Sequence, residues 1–125
     1  MRLLLDTHIV VWWGDGSPRL AAAIRTAVTD PANEVFVSAV FWWELAIKAS
    51  KGHLAIPPGL RQRLHRDGFR DLPITAEHAL GVASLPPLHR DPFDRLLIAQ
   101  ALAEGLVLVT HDDILTRYDV PVLEA

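Results

Sequence analysis

The sequence predicts an α/β fold with a parallel central sheet flanked by helices on both faces. Stretches of helical pattern alternate with short apolar runs that indicate strands at residues 3–5, 35–37, 106–109 and 120–123. Strands separated by helices are joined by right-handed crossovers, so the strands run parallel and helices cover both faces of the sheet. The length of 125 residues fits one domain, which we expect to span residues 1–125.

Local residue preferences predict each element. Leu3, Leu4 and Leu5 form a continuous apolar run, which is typical of a strand buried on both faces. Serine, threonine and aspartate are favoured before a helix, proline at its first position and glycine after its end. These preferences predict helices at 18–29 after Ser17, from Ser38 to about Ser50, at 58–68, from Thr75 to Pro86, from Phe93 to Glu104 after Asp91 and Pro92, and at 113–117. A short extended piece is predicted at residues 72–74.

Composition excludes several classes of protein. Hydrophobic residues make up 50% of the chain, which excludes a fully disordered or collagen-like protein. The absence of cysteine excludes a disulfide scaffold, a thiolate nucleophile and nearly every zinc-finger scheme. With 12 basic and 15 acidic residues the formal charge is −3, so the molecule as a whole is not a generic binder of polyanions. The apolar surplus favours burial of part of the surface against a second copy, as in a homodimer, or against a partner.

The same residues predict a soluble, cytoplasmic protein without a membrane segment. The apolar stretch from Leu3 to Trp13 is interrupted by Asp6 and His8. It lacks the cleavage site of a signal peptide and the roughly 18 apolar residues of a spanning helix.

Four acidic residues fall near one edge of the predicted sheet, where the carboxyl ends of parallel strands gather ligands. Asp6 follows the first strand and Asp112 follows the run at 106–109. Glu44 lies in the helix after the second strand, and Asp94 lies in the first turn of a later helix, whose cap we assign to Asp91. Crowded carboxylates repel unless a hard cation such as Mg²⁺ or Mn²⁺ neutralises them. The arrangement predicts metal-assisted phosphodiester hydrolysis.

Each acid also has a purely structural explanation. Asp6 and Asp112 could cap the turns that follow them. Glu44 precedes Lys48 by four residues, which is the favourable order for a helical ion pair. The shared placement of the acids at one sheet edge, rather than any single residue, favours a functional site.

Four motifs carry a family resemblance. They occur in order over nearly the whole chain: Leu-Leu-Asp-Thr-His at 4–8, Ser-Ala-Val-Phe-Trp-Trp-Glu-Leu-Ala-Ile-Lys at 38–48, Asp-Pro-Phe-Asp-Arg-Leu-Leu-Ile-Ala-Gln-Ala at 91–101, and Leu-Val-Thr-His-Asp at 108–112. Together they resemble a PIN domain and, more narrowly, the VapC toxins of bacterial toxin–antitoxin pairs.

The resemblance implies a PIN-like fold and a Mg²⁺- or Mn²⁺-dependent endoribonuclease that hydrolyses RNA with metal-activated water. It also implies inhibition by a cognate VapB-like antitoxin and a dimeric assembly. The family's catalytic and metal-binding acids correspond to Asp6, Glu44, Asp94 and Asp112, with Asp113 as the alternative to Asp112. Its supporting hydroxyls correspond to Ser38 and Thr110. The alternative to the toxin is a catalytically inactive PIN-fold module that binds protein or RNA.

Several basic residues between residues 45 and 70 are candidates for RNA contact and specificity: Lys48, Lys51, Arg61, Arg63 and Arg66. The alternative is a solvated helical face. For Arg95 we weigh a phosphate contact against an ion pair with a nearby acid.

Aromatic and histidine side chains complete the set of candidates. In each of the pairs Trp12-Trp13 and Trp42-Trp43, one residue is expected in the core. The other is a candidate for a dimer face, an antitoxin groove or, least favoured, stacking on an RNA base. The histidines beside the acids, His8 and His111, are expected to pack or to form hydrogen bonds.

Overall fold

A computed structural model describes residues 1–124; residue 125, the last of the predicted domain, lies outside the described residues. Within residues 1–124 the strands are β1 (Arg2–Leu5), β2 (Glu34–Ser38), β3 (Arg70–Leu72), β4 (Val107–Thr110) and β5 (Val122–Glu124). They form one sheet in the order β3-β2-β1-β4-β5, and every neighbouring pair is parallel. The predicted parallel α/β fold is confirmed.

The α-helices of the described chain are α1 (Thr7–Asp15), α2 (Ala22–Thr29), α3 (Ala39–Ser50), α4 (Leu60–Arg66), α5 (Ala76–Gly81) and α6 (Pro92–Glu104). Short 3-10 turns occupy Val82–Ser84 and Leu115–Arg117. Among residues 1–124 no helix has both the length and the apolar character needed to cross a membrane.

Helices cover both faces of the sheet, as the alternation of side chains along β1 demonstrates. Leu3 and Leu5 lie in one core cluster with residues of α1, α2, α3 and α4. Leu4 lies in a second cluster, where it meets Leu97 of α6. All three leucines of β1 are buried. β1 is therefore the centre of the sheet, and its carboxyl end places Asp6 in the middle of the sheet edge.

The two helices nearest the amino terminus differ from the sequence prediction. The sequence did not predict helix α1. The apolar stretch from Leu3 to Trp13 continues from β1 into α1, so its pattern does not show that the strand ends and a helix begins at Asp6. The predicted helix start at Pro18 is wrong, since α2 begins at Ala22. The Ser17 hydroxyl accepts the Arg19 N–H at 3.2 Å, so Ser17 closes a local turn instead of capping a helix.

The edge strands differ from the prediction, while the long helices α3 and α6 follow it: β3 lies two residues earlier, and β5 begins two residues later and ends one residue later. β3 occupies 70–72 rather than 72–74, and β5 occupies 122–124 rather than 120–123. Proline at 73 and 121 lacks the N–H that a strand ladder uses. Ser38 caps α3 by accepting the Val40 N–H at 2.9 Å, as predicted.

Candidate active site

Asp6 is held from two sides where β1 meets α1. One carboxylate oxygen, Oδ1, accepts the Ile9 N–H at 3.2 Å and caps α1, while Oδ2 accepts the Thr110 hydroxyl at the end of β4. Burial raises the pKa of Asp6, against the lowering effects of the Thr110 and Ile9 hydrogen bonds and of nearby His8. The capping explanation is therefore correct, and it leaves a buried carboxylate at the sheet edge.

Glu44 reaches the same edge from α3. Its Oε1 accepts the Thr7 hydroxyl at 2.7 Å, and its Oε2 pairs with Lys48 Nζ at 2.9 Å. The ion pair that we weighed against a site role is thus present. Yet Glu44 is buried whereas Lys48 is about half exposed, so the carboxylate faces the protein and not the solvent.

Asp94 carries the clearest electrostatic perturbation. It lies in the first turn of α6, whose cap is Asp91: one Asp91 oxygen accepts the N–H groups of Phe93 and Asp94 at 2.8 and 3.2 Å. Burial raises the pKa of Asp94 to about 7, and the charge of Asp91 adds to this. The charges of Asp6 and Glu44 also raise the pKa, whereas a positive charge on His89 acts in the opposite direction. The charges of Asp6 and Glu44 therefore both reach Asp94.

Asp112 joins the cluster through His89. Nε2 of His89 lies 3.0 Å from Asp94 Oδ2 and 3.2 Å from Asp112 Oδ2. Candidate ligand atoms of the three residues all lie within 4.8 Å of one another. Asp113 instead lines a pocket with Thr110, His111, Thr116 and Glu124, and the group of candidate ligand atoms around Asp94 includes Asp112 rather than Asp113. The structure brings Asp112, and not Asp113, to the other acids, and we call the group of Asp6, Glu44, Asp94 and Asp112 the acidic edge.

The two predicted supporting hydroxyls have different partners. Thr110 bonds Asp6 directly and also accepts the Asp112 N–H at 3.0 Å, so it joins two acids. The Ser38 hydroxyl donates to Oε1 of Gln100, a fully buried residue of α6. Ser38 therefore ties the start of α3 to α6 instead of contacting an acid through its hydroxyl proton.

Sequence reasoning did not identify His89 or Gln100. His89 stands two residues before the cap of α6, and a histidine next to a capping aspartate is the only indication that the sequence offers. Gln100 is a polar residue in an otherwise apolar stretch of α6, where a buried amide needs partners.

The donor set of the acidic edge fits a hard divalent cation. Its four acids offer carboxylate oxygens, the ligands that Mg²⁺ and Mn²⁺ prefer. Burial and the negative charge of neighbouring acids raise the pKa of Asp94 and so disfavour its ionised form. A bound cation would supply positive charge and lower the pKa.

The basic candidates are mostly held by other parts of the chain. Arg61 pairs with Asp71 at 2.7 Å, and Arg63 donates to the Gly14 carbonyl at 2.6 Å. Arg95 donates to the carbonyls of Pro86 and Val82, at 3.0 and 3.1 Å. Arg95 is thus held by backbone carbonyls, and within residues 1–124 no ion pair joins it to an acid; the phosphate contact stays a prediction.

The aromatic pairs are only partly buried. Trp12 packs against His8 and His111, with ring centroids 6.1 and 5.1 Å apart, in agreement with the packing expected of both histidines. Trp12, Trp13 and Trp42 are half-buried, so the first pair has no fully buried member. Trp43 is exposed and packs edge-on against Phe93 at 4.7 Å, so the second pair has one inner and one outer member.

Comparisons with known proteins identify the family of the chain. The PIN domain family model matches residues 3–121. Ribonuclease VapC22 from Mycobacterium tuberculosis (strain ATCC 25618 / H37Rv) is 36% identical over 113 residues, which cover 88% of this chain and 86% of that protein.

Solved structures share the fold. VapBC2 from Rickettsia felis, bound to a DNA fragment from their promoter, matches with a TM-score of 0.76 and 19% identity over 99% of this chain and 98% of that chain. DNA-bound VapBC from Salmonella typhimurium matches with a TM-score of 0.72 and 14% identity over the same shares of 99% and 98%. These identities bear on the fold alone. The match of the family model over residues 3–121 shows that the chain belongs to the PIN domain family.

Proposed function

We propose that this protein is a metal-dependent endoribonuclease that acts as the toxin of a VapBC-type toxin–antitoxin system. The observation that carries the proposal is the set of contacts that link four acids at the carboxyl edge of the sheet. Thr110 contacts Asp6 and the Asp112 N–H, His89 contacts Asp112 and Asp94, and Thr7, next to Asp6, donates to Glu44. Burial and acidic neighbours also raise the pKa of Asp94 to about 7. The similarity to Ribonuclease VapC22 supports RNA as the substrate.

Asp6, Glu44, Asp94 and Asp112 would hold Mg²⁺ or Mn²⁺ directly or through water. When bound, such a cation makes water a better nucleophile near neutral pH and offsets the charge that develops on a phosphate under attack.

The chain's own residues orient the acids for this task. Thr110 and the Ile9 N–H fix the two oxygens of Asp6, and Thr7 fixes Oε1 of Glu44. These contacts use donors that are already in place, so no reorganisation is needed when the substrate arrives. Burial of Asp6 and Glu44 keeps water away from the inner side of the site.

We also propose a partner, a location in the cell and an oligomeric state for this protein. A VapB-like antitoxin would inhibit the enzyme, since the structural neighbours are VapBC complexes. We further propose a cytoplasmic protein that forms a homodimer, supported by exposed Trp43 beside Phe93 and by the high hydrophobic content of the chain. Light scattering of the purified chain tests the dimer, and a monomer at all concentrations contradicts it.

The test of the nuclease is cleavage of mixed total RNA by partner-free protein, with Mg²⁺ or Mn²⁺ and with a chelator. We expect discrete fragments that require the metal and disappear in the Asp94→Asn variant. Asp113→Asn is the matched control, because Asp113 lies outside the acidic edge and should keep cleavage. If folded wild-type protein yields no fragments under any metal condition, the enzyme assignment is wrong and the non-catalytic binding module replaces it.

A further inference from the structure

His89 occupies a position between two acids that belong to different elements. Asp94 lies on α6 and Asp112 follows β4, yet their Oδ2 atoms both lie within 3.2 Å of His89 Nε2. The His89 side chain is only 15% exposed, so solvent does not compete freely for this contact. The imidazole therefore connects the two acids across the gap between their elements.

The other ring nitrogen determines what Nε2 can do. The Asp91 backbone N–H donates to His89 Nδ1 at 3.0 Å. An acceptor nitrogen carries a lone pair and no hydrogen, so the neutral ring has its hydrogen on Nε2. Nε2 then donates to the carboxylates of Asp94 and Asp112. A doubly protonated ring would bring two N–H groups head to head at Nδ1.

The same geometry opposes a role for His89 as a metal ligand. A cation at Nε2 needs the lone pair of that nitrogen, which moves the hydrogen to Nδ1. There it would face the Asp91 N–H, and the hydrogen bond that orients the ring would be lost. The ring is thus arranged to donate to ligands and not to be one.

Backbone contacts fix the segment that carries His89. Its N–H donates to the Tyr118 hydroxyl at 2.9 Å. Arg95 donates to the Pro86 carbonyl at 3.0 Å and lies 3.4 Å from the same Tyr118 hydroxyl. Arg95 and Tyr118 therefore hold the His89 segment against α6 and the residues after β4, a role that the sequence did not indicate.

We propose that His89 is a positioning residue that donates from Nε2 to Asp94 and Asp112 and so sets the spacing of these two acids before a cation binds. The proposal rests on the proposed function, in which both acids hold the metal. A hydrogen-bonding partner behind metal ligands contributes about 10–100-fold to metal affinity in known sites.

Two substitutions separate the two ring nitrogens. His89→Gln can place an amide N–H where Nε2 stands, and so it keeps a donor for the acids. His89→Asn reaches only the position of Nδ1, and so it can accept the Asp91 N–H but cannot bridge the acids. His53→Asn at an exposed histidine is the control for the substitution itself. Circular dichroism establishes that each variant is folded.

Three measurements on the intact chain test the role. Nitrogen-15 NMR of metal-free protein should show the tautomer of His89 with its hydrogen on Nε2. Calorimetry with Mn²⁺ should give an affinity within about threefold of wild type for His89→Gln and about 10–100-fold weaker for His89→Asn. Pulsed EPR of the Mn²⁺-loaded protein should show no directly bound nitrogen.

The outcomes separate this inference from the proposed function. A nitrogen bound to Mn²⁺, the opposite tautomer, or wild-type affinity in His89→Asn would overturn the positioning role, even if RNA is cleaved. If the tautomer and affinities are as expected but wild-type protein cleaves no RNA, the proposed function fails and the positioning role stands.

Discussion

The acidic edge and the basic helix α4 differ in how their charged side chains are arranged. At the acidic edge, like charges are crowded together and Asp6 and Glu44 are buried, and the pKa of Asp94 is raised to about 7. On the basic helix α4, Arg61 is exposed and pairs with Asp71 at 2.7 Å. An exposed pair of opposite charges adds little to stability, and crowded like charges reduce it. The crowding of acids therefore favours a chemical role for the acidic edge, whereas the Arg61–Asp71 pair costs the fold little and needs no functional explanation.

The largest contrast is expected from removing one acid in each region. Asp6→Asn should lower metal-dependent RNA cleavage by about 100-fold or more, because the neutral amide no longer attracts a cation. The amide oxygen can still accept the Ile9 N–H, and the amide NH2 can donate to the Thr110 hydroxyl oxygen, so the fold should persist. Initial rates of RNA cleavage provide the measurement.

Asp71→Asn is the partner experiment, since it removes an acid that pairs with Arg61 outside the acidic edge. Its cleavage rate should stay near that of wild type. Equal losses in both variants would mean that overall charge, and not the acidic edge, determines activity.

The second contrast concerns the stability of metal-free protein. The folded pKa of Asp94, about 7, exceeds its ordinary value of 3.8, so the folded state keeps a proton that the unfolded chain has released. Stability contributed by this group is present below pH 4 and falls as pH rises through 7. The Asp94→Asn variant has no carboxyl group to ionise at this position, so it does not lose this stability as the pH rises. Its gain in unfolding free energy over wild type should therefore be greater at pH 8 than at pH 5, by about 1–3 kcal/mol. Urea unfolding in chelator measures both stabilities; a gain independent of pH would contradict the raised pKa of Asp94 as its cause.

The third contrast tests whether α4 does more than support the fold. We expect Arg61→Ala, Arg63→Ala and Arg66→Ala together to weaken RNA binding several-fold and to reduce the salt slope by up to about 2, as for phosphate contacts with single strands. The measurement uses the inactive Asp6→Asn background, so that the RNA stays intact. Unchanged affinity would leave α4 as a solvated helical face and remove residues 45–70 as the source of specificity.

The smallest expected effect concerns Asp71, whose contribution to stability depends on pH in the opposite direction to that of Asp94. Partial burial acts to raise the pKa of Asp71, but hydrogen bonds and charges from Arg61 and His65 lower it overall. Stability from this group is therefore present above pH 4 and lost as pH falls through the lowered folded pKa. Because the pair is exposed, Asp71→Asn should reduce stability at pH 7 by less than about 1 kcal/mol. A loss that grows toward acid pH, in urea unfolding, would contradict this sign.

The elements of the fold that depend on local residue preferences could be predicted from the sequence. Leu3 to Leu5 form a buried run, Ser38 and Asp91 begin helices through their side chains, and α6 ends at Glu104 before glycine. The alternation of these elements gives a parallel sheet, and a parallel sheet gathers the residues that follow its strands. For this reason the sequence alone predicts the neighbourhood of Asp6, Asp94 and Asp112.

Other features depend on contacts between distant residues. A bridge from His89 to Asp112 spans 23 positions, and no local pattern specifies it. Arg95 contacts the carbonyls of Pro86 and Val82, which lie 9 and 13 positions earlier, and its neighbours in sequence do not indicate these contacts. The start of α2 is misjudged for a related reason, since Ser17 can close a turn as readily as it can cap a helix.

The hydrogen bond from Thr110 to Asp6 joins residues that are 104 positions apart, and it lies on the central pair of strands. During synthesis on a ribosome, Asp6 emerges early but has no partner until β4 has been made. A nascent chain that stops before residue 107 lacks the neighbouring strand, Thr110 and Asp112, and so it lacks part of the acidic edge. Completion of the acidic edge is thus coupled to near-completion of the chain, so an unfinished polypeptide lacks the full set of acids.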